Sequence, residues 1–141
     1  MVFCFIAGFM PVFHGSGIGR TLMKFSESLK KNEDFQKVYN ERRSKADRNI
    51  IIYVRKNGMD INRLGISISK KKGNSVVRHH FTRLVREAYR LHEEMFISGM
   101  DIVVVARIPA KDMDFHQVES SLLRLADLHR IIKKQTDPDN V

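Results

Sequence analysis

Residues 70–95 constrain this chain more than any other segment. Lys70, Lys71 and Lys72 precede Gly73 and Asn74, and a helical pattern then begins. Wound at roughly 100° per residue, Val77, Phe81, Leu84, Val85, Ala88, Leu91 and Met95 form one apolar stripe. His79, Arg83, Arg86 and Arg90 form a second stripe on the opposite side. A helix over residues 75–96 built this way packs one face on a core and presents the other. No acid occurs from Lys70 to Arg86, so the arginines have no partner within that run. Clustered guanidinium groups match phosphate geometry. A solvated charged face is the ordinary explanation of such a stripe. The lysine turn at the start of the helix favours a polyanion instead.

The flanking segments supply a sheet. Residues 49–56 read as a strand, with Ile50, Ile52 and Val54 on one face and Ile51, Tyr53 and Arg55 on the other. Asn57-Gly58 marks a turn. Leu64, Ile66 and Ile68 alternate with Gly65, Ser67 and Ser69, a second strand with a small, polar outer face. Residues 101–107 form a third, largely buried strand, ended by Pro109. Before these, Asn32 is expected to cap a short helix with Glu33 and Asp34 in its first turn and Phe35, Val38 and Tyr39 on one side. Residues 42–48 read as a basic loop. Asp114 and Gln117 suggest a capped final helix whose apolar side is Phe115, Val118, Leu122, Leu125, Leu128 and Ile132. The order of helix, strands, helix, strand, helix implies a small sheet with helices packed on it.

Composition narrows the function. The net charge of +9 favours nucleic acid over small neutral substrates, with an anionic membrane surface as the rival. Hydrophobic residues at 43% indicate a folded domain and not a disordered basic tail. Cys4 is the single cysteine, so no internal disulfide forms, and no Cys/His cluster has zinc-ligand spacing. These features suit the reducing cytoplasm. No Walker loop, Gly-x-Ser-x-Gly or His-Glu-x-x-His is present. Ser67 and Ser69 beside the lysines suggest open sheet surface more readily than a nucleophile. Residues 1–22 are apolar, then glycine-rich, and carry no acid. Their apolar run is shorter than the roughly 20 residues that span a bilayer. Met23 is the expected start. The expected organisation is an extension over residues 1–22, disordered or loosely packed, one domain over 23–134 and a polar tail over 135–141.

Taken together, Leu64-Gly65-Ile66-Ser67-Ile68-Ser69-Lys70-Lys71-Lys72-Gly73-Asn74-Ser75-Val76-Val77-Arg78, the later Arg83-Leu84-Val85-Arg86-Glu87-Ala88, the first-helix segment from Leu29 to Tyr39 and the strand from Asp101 to Pro109 resemble the bacterial ribonuclease P protein component. The resemblance runs from Phe25 to Lys134 in order and without large gaps. It implies an α/β fold, a ribosomal protein S5 domain 2-like two-layer sandwich of about four strands and three helices. A left-handed βαβ crossover is part of that fold, against the right-handed rule. It further implies an RNA-binding subunit with no catalytic residues of its own. In that arrangement the ribonuclease P RNA and its Mg²⁺ ions remove the 5′ leader of precursor tRNA, and the protein binds no metal.

By the same resemblance, Lys70, Lys71, Arg78, Arg83 and Arg86 match the basic motif that contacts RNA phosphates, and His79 and Arg90 share its face. Phe35, Tyr39 and Tyr53 match a leader-binding cleft between the first helix and the open sheet. Such aromatics stack unpaired bases, although core packing is the competing role, above all for Phe35. The chain departs from the family's usual motif at His79, His80 and Thr82, where Asn, Arg and Lys are customary. The implied partners are the ribonuclease P RNA and the precursor leader, with no membrane and a protein monomeric before assembly. A component of another ribonucleoprotein, a protein-only nuclease and a membrane-surface protein are the remaining alternatives.

Overall fold

The computed structural model describes residues 26–133. The expectations for residues 1–22, for Met23 as a start and for the tail from Gln135 lie outside the described residues. The chain forms β1 (Ser26–Ser28), α1 (Asn32–Asn40), β2 (Ser44–Ala46), β3 (Ile50–Lys56), β4 (Asn62–Ser67), α2 (Ser75–Leu91), β5 (Met100–Ala106) and α3 (Phe115–Leu128), with 3₁₀ turns at Lys70–Lys72, Glu93–Met95 and Ala110–Asp112. One sheet runs β1-β4-β5-β3-β2. β1 and β5 lie parallel to β4, while β3 runs antiparallel to β5 and β2 antiparallel to β3. The sheet thus has five strands where about four were expected. β1 and β2, the two not read individually from the sequence, are three residues each, too short for alternation to register, and β2 lies inside the segment read as a basic loop.

Alternation divides the sheet into two unequal faces. Ile50, Ile52 and Val54 of β3, Leu64 and Ile66 of β4 and Ile102 and Val104 of β5 share one core with Phe81, Val85, Ala88 and Tyr89 of α2 and Val118, Leu122 and Leu125 of α3. The other face carries a small cluster of Leu29, Phe35, Val38 and Val103, flanked by Tyr39, Tyr53 and Val105. α2 and α3 therefore form one helical layer, and α1 is the only described helix on the second face.

The hand of the β4–α2–β5 crossover follows from chirality. Leu64 faces the α2–α3 layer, and its carbonyl accepts the Leu29 N–H at 2.9 Å on the β1 side. Val54 faces the same layer, and its N–H donates to Arg43, next to β2, at 3.1 Å. In a strand of L residues seen with the side chain toward the viewer and the chain pointing up, the backbone polar groups of that residue point right. Viewed from the helices with β4 upward, β1 is then on the right and β5 on the left. The chain leaves β4, crosses in front and returns to its left. The crossover is left-handed, the rarer hand.

Local signals account for the helix ends. The Asp114 carboxylate accepts the Gln117 backbone N–H at 2.8 Å while the Gln117 side-chain oxygen Oε1 accepts the Asp114 N–H at 3.1 Å, the capping box that the sequence suggests. The Asn74 side chain accepts from Val77 N–H at 3.0 Å and starts α2. Three readings are corrected. Asn32 is the first residue of α1, and Lys31 occupies the cap position without a side-chain bond. α2 ends at Leu91, where His92 leaves helical geometry and a 3₁₀ turn follows, so the apolar stripe does not continue to Met95 as one helix. Leu91 and Leu128 are 52% and 56% exposed and lie outside the core.

Candidate nucleic-acid interface

α1 packs on the second face against β3 and β5, where Ile51, Tyr53 and Val105 stay partly exposed. Small residues on β4 let it approach. A Cβ built on Gly65 would lie 2.8 Å from two ring carbons of Phe35, so only glycine leaves room for that ring. Phe35 is fully buried and Val38 with it. An ion pair holds each end of α1. Arg63 donates to Asp34 at 3.2 Å and, through two nitrogens, to the fully buried Asp101 at 2.8 and 2.7 Å. Arg55 faces Glu41 at 3.7 Å. The bidentate bond to Asp101 raises the Arg63 pKa, so its charge is permanent. Asn57 donates to Asp101 at 3.0 Å and ties the same network to the β3–β4 loop.

At the C-terminal end of α1 the rings of Tyr39 and Tyr53 meet edge to face, with centroids 5.0 Å apart. Burial raises the Tyr39 hydroxyl pKa, and its hydrogen bond with Ser67 partly opposes that rise. Both tyrosines are partly exposed, as are Ile51 and Val105. Of the three aromatic residues read from the sequence, the fold brings Tyr39 and Tyr53 together at an open surface and places Phe35 beneath it. Phe35 offers no ring face to a base in this conformation; its packing on Gly65 is what sets the height of α1.

β4 leads from this surface into the basic one. Past Ser67 the chain turns through Lys70–Lys72, with Lys70 and Lys71 exposed. Gly73, with φ at +155° and ψ at 166°, takes a conformation that only glycine adopts readily, and a Cβ there would meet Val77 at 2.8 Å. The lysine turn is thereby set against the N-terminus of α2. That terminus carries unsatisfied N–H groups and partial positive charge, both favourable to an anion.

Along α2 the arginines divide. Arg83 and His80 are exposed and His79 is half-buried. Arg78 and Arg86 are only 8% and 6% exposed. The Arg86 guanidinium donates to Ser28 Oγ of β1 at 3.2 Å, and burial lowers its pKa to about 10. Arg90 pairs with Glu87 on the same helix. The expected row of outward arginines thus turns inward at Arg86, because β1 lies under that side of the helix, and Arg90 is compensated by an acid one residue beyond the run. Thr82 is fully buried and donates to the Arg78 carbonyl at 3.0 Å. Burial first, then the charges of Arg83, Arg86 and His80, lower the His79 pKa.

Sequence reasoning missed Arg63, Asp34 and Asp101. Their signal is weak, since partners 29 and 38 residues apart show no local pattern. Among the described residues no three His, Cys, Asp or Glu side chains gather in a metal-binding group, and no helix is long and apolar enough to cross a membrane.

A family model described as Ribonuclease P matches residues 23–130. The chain is 50% identical over 114 residues to the ribonuclease P protein component of Lachnoclostridium phytofermentans, covering 81% of this chain and 97% of that protein. To the same component of Alkaliphilus oremlandii it is 46% identical over 103 residues, covering 73% and 90%. Among solved structures it is similar to the RNase P protein of Staphylococcus aureus, with TM-score 0.69 and 39% identity over 75% of this chain and 97% of that one. The RNase P protein from Thermotoga maritima follows with TM-score 0.66 and 34% identity, covering 75% and 98%.

Proposed function

This chain belongs to the ribonuclease P protein family, and from that membership we propose that it binds the catalytic RNA and holds the single-stranded 5′ leader of precursor tRNA. Its role as a component of this tRNA-processing ribonucleoprotein rests on the family. The finer reading rests on one observation. The sheet face beside α1, with Tyr39 and Tyr53 partly exposed on it, runs along β4 into the lysine turn and the N-terminus of α2. Aromatic rings beside a cationic track suit an unpaired strand: each stacked base contributes roughly 1–3 kcal/mol, and every base has a face to stack. Lys70, Lys71 and Arg83 then engage phosphates of the partner RNA, with the strong salt dependence of such contacts.

In this reading the protein supplies binding and position. The Mg²⁺ ions and the hydrolytic chemistry belong to the RNA, no described side-chain group is assigned as catalytic, and the protein acts in the cytoplasm as a monomer before assembly. Cleavage of precursor tRNA at low Mg²⁺ by a bacterial ribonuclease P RNA, with and without this chain, tests it. Stimulation that requires both components is the expected result. Cleavage by the protein alone, or no stimulation despite tight RNA binding, overturns it.

A further inference from the structure

We propose that the β2 edge is a second phosphate-binding surface, which takes the distal part of the precursor leader after it has crossed the open face; the inference rests on the cleft reading above. Arg42, Arg43, Lys45 and Arg48 all lie exposed on or beside this three-residue strand. Among the described residues none of the four is in an ion pair. The one acid in their run is withdrawn. Asp47 accepts the Asn49 and Ile50 N–H groups at 2.8 and 2.9 Å and pairs with Arg124 of α3. Glu41, just before the run, is turned to Arg55. A single lysine on an edge strand is an ordinary guard against edge-to-edge pairing. Four cations with the neighbouring acids engaged elsewhere exceed that need. The field is felt nearby: burial first, and then the charges of Arg43 and Lys45, lower the pKa of His129.

The position of this edge says what it meets. α2 is tied to β1, and β2 is the opposite border of the same sheet. The lysine turn follows β4, and from β4 the β2 edge is three strand spacings away, roughly 14 Å at about 4.8 Å each. Tyr53 lies between them. On β2, Ser44 is in register with Tyr53 and Ala46 with Ile51, so the residues that share the open face at this border are small. Lys45 is in register with Ile52 and turns toward the α3 side. A strand stacked on Tyr39 and Tyr53 thus leaves the face over Ser44 and Ala46 and finds cations at the rim. A site that begins at the lysine turn and ends here suits several nucleotides of unpaired RNA, within the roughly 4–16 that single-strand-binding domains occupy.

The test uses the chain assembled with a bacterial ribonuclease P RNA and precursor tRNAs bearing a short or a long leader, about three and about twelve nucleotides. The triple variant Arg43→Gln, Lys45→Gln, Arg48→Gln should weaken long-leader binding about tenfold and lower the salt slope by roughly 2, at about 0.7 per phosphate contact. Short-leader affinity and affinity for the partner RNA should not change. Equal loss on both leaders, loss of partner-RNA affinity, or no loss overturns the proposal. The single variants, each giving a part of the change, serve if the triple variant fails to fold. A Tyr39→Ala, Tyr53→Ala variant separates the two readings. If it leaves both leaders bound as before, the cleft reading itself fails; if it weakens both while the triple variant is silent, only the β2 edge is excluded.

Discussion

The two faces of the sheet are built to opposite rules. The face under α2 and α3 buries branched and aromatic side chains from three strands and two helices. The face under α1 buries a cluster of four apolar residues, and past Arg63 β4 gives it Gly65 and Ser67, small residues that let a helix approach. One face is filled to hold the fold. The other is held apart, by Phe35 as a spacer and by ion pairs at both ends of α1. A surface kept open at a sacrifice of apolar burial is where a ligand belongs. Charge follows the same division, with the buried Arg86 and the half-buried Arg63 serving as ties and the lysine turn, Arg83 and the β2 edge presented.

The sharpest way to break this comparison is a pair of truncations. Phe81→Ala empties the filled face and should lower stability by about 3–5 kcal/mol in urea unfolding. Tyr53→Ala on the open face should change stability far less, and instead reduce leader affinity by the roughly 1–3 kcal/mol of a stacked base. Equal destabilisation by the two would make the open face an ordinary core. Next in size is Gly65→Ala, whose added methyl meets the Phe35 ring at 2.8 Å. Overpacking of this kind costs typically 1–3 kcal/mol. Because α1 must lift, leader binding should fall while affinity for the partner RNA is kept. Smaller again is Asp34→Asn. Arg63 keeps its two bonds to Asp101, so the fold should lose at most about 1 kcal/mol. Leader affinity should drop several-fold as the N-terminal end of α1 loosens, and an unchanged affinity would release this ion pair from any part in the site.

How much of this was legible in the chain depends on the range of each signal. The alternation of Ile50, Ile52 and Val54, the small outer face of Gly65 and Ser67 and the Asp114–Gln117 box are all local, and the structure contains each of them, although β4 ends at Ser67 and leaves Ser69 to the turn that follows. The open face was therefore readable before any coordinates. The inward turn of Arg86 was not, because it depends on β1, a strand 58 residues earlier and too short to announce itself. The clamp on α1 joins residues from three elements, and the β2 cations looked like a loop until pairing with β3 made them an edge. What escapes the sequence is what neighbours decide.

The last and smallest effect concerns His79, one of the three positions that the sequence reading set apart from the family's usual motif. A histidine charged near its reference pKa of about 6.5 would strengthen phosphate binding just below neutral pH. The fold moves that gain downward. Burial, and then Arg83, Arg86 and His80, disfavour the imidazolium, so in the free protein His79 is neutral at pH 7 and takes its proton below its ordinary range. The sign for stability is the reverse of that for binding. The unfolded chain takes the proton first as pH falls, so His79 withdraws stability below about pH 6.5. A phosphate brought near it by RNA favours the cation and raises its pKa again. Affinity for the partner RNA should therefore rise modestly as pH falls from 7 toward 5.5, with proton uptake detectable as a buffer-dependent heat of binding. His79→Asn should remove that uptake and flatten its share of the profile. Unchanged uptake in the variant would assign the pH response to the exposed His80 or to the RNA, and would leave His79 outside the surface that α2 presents.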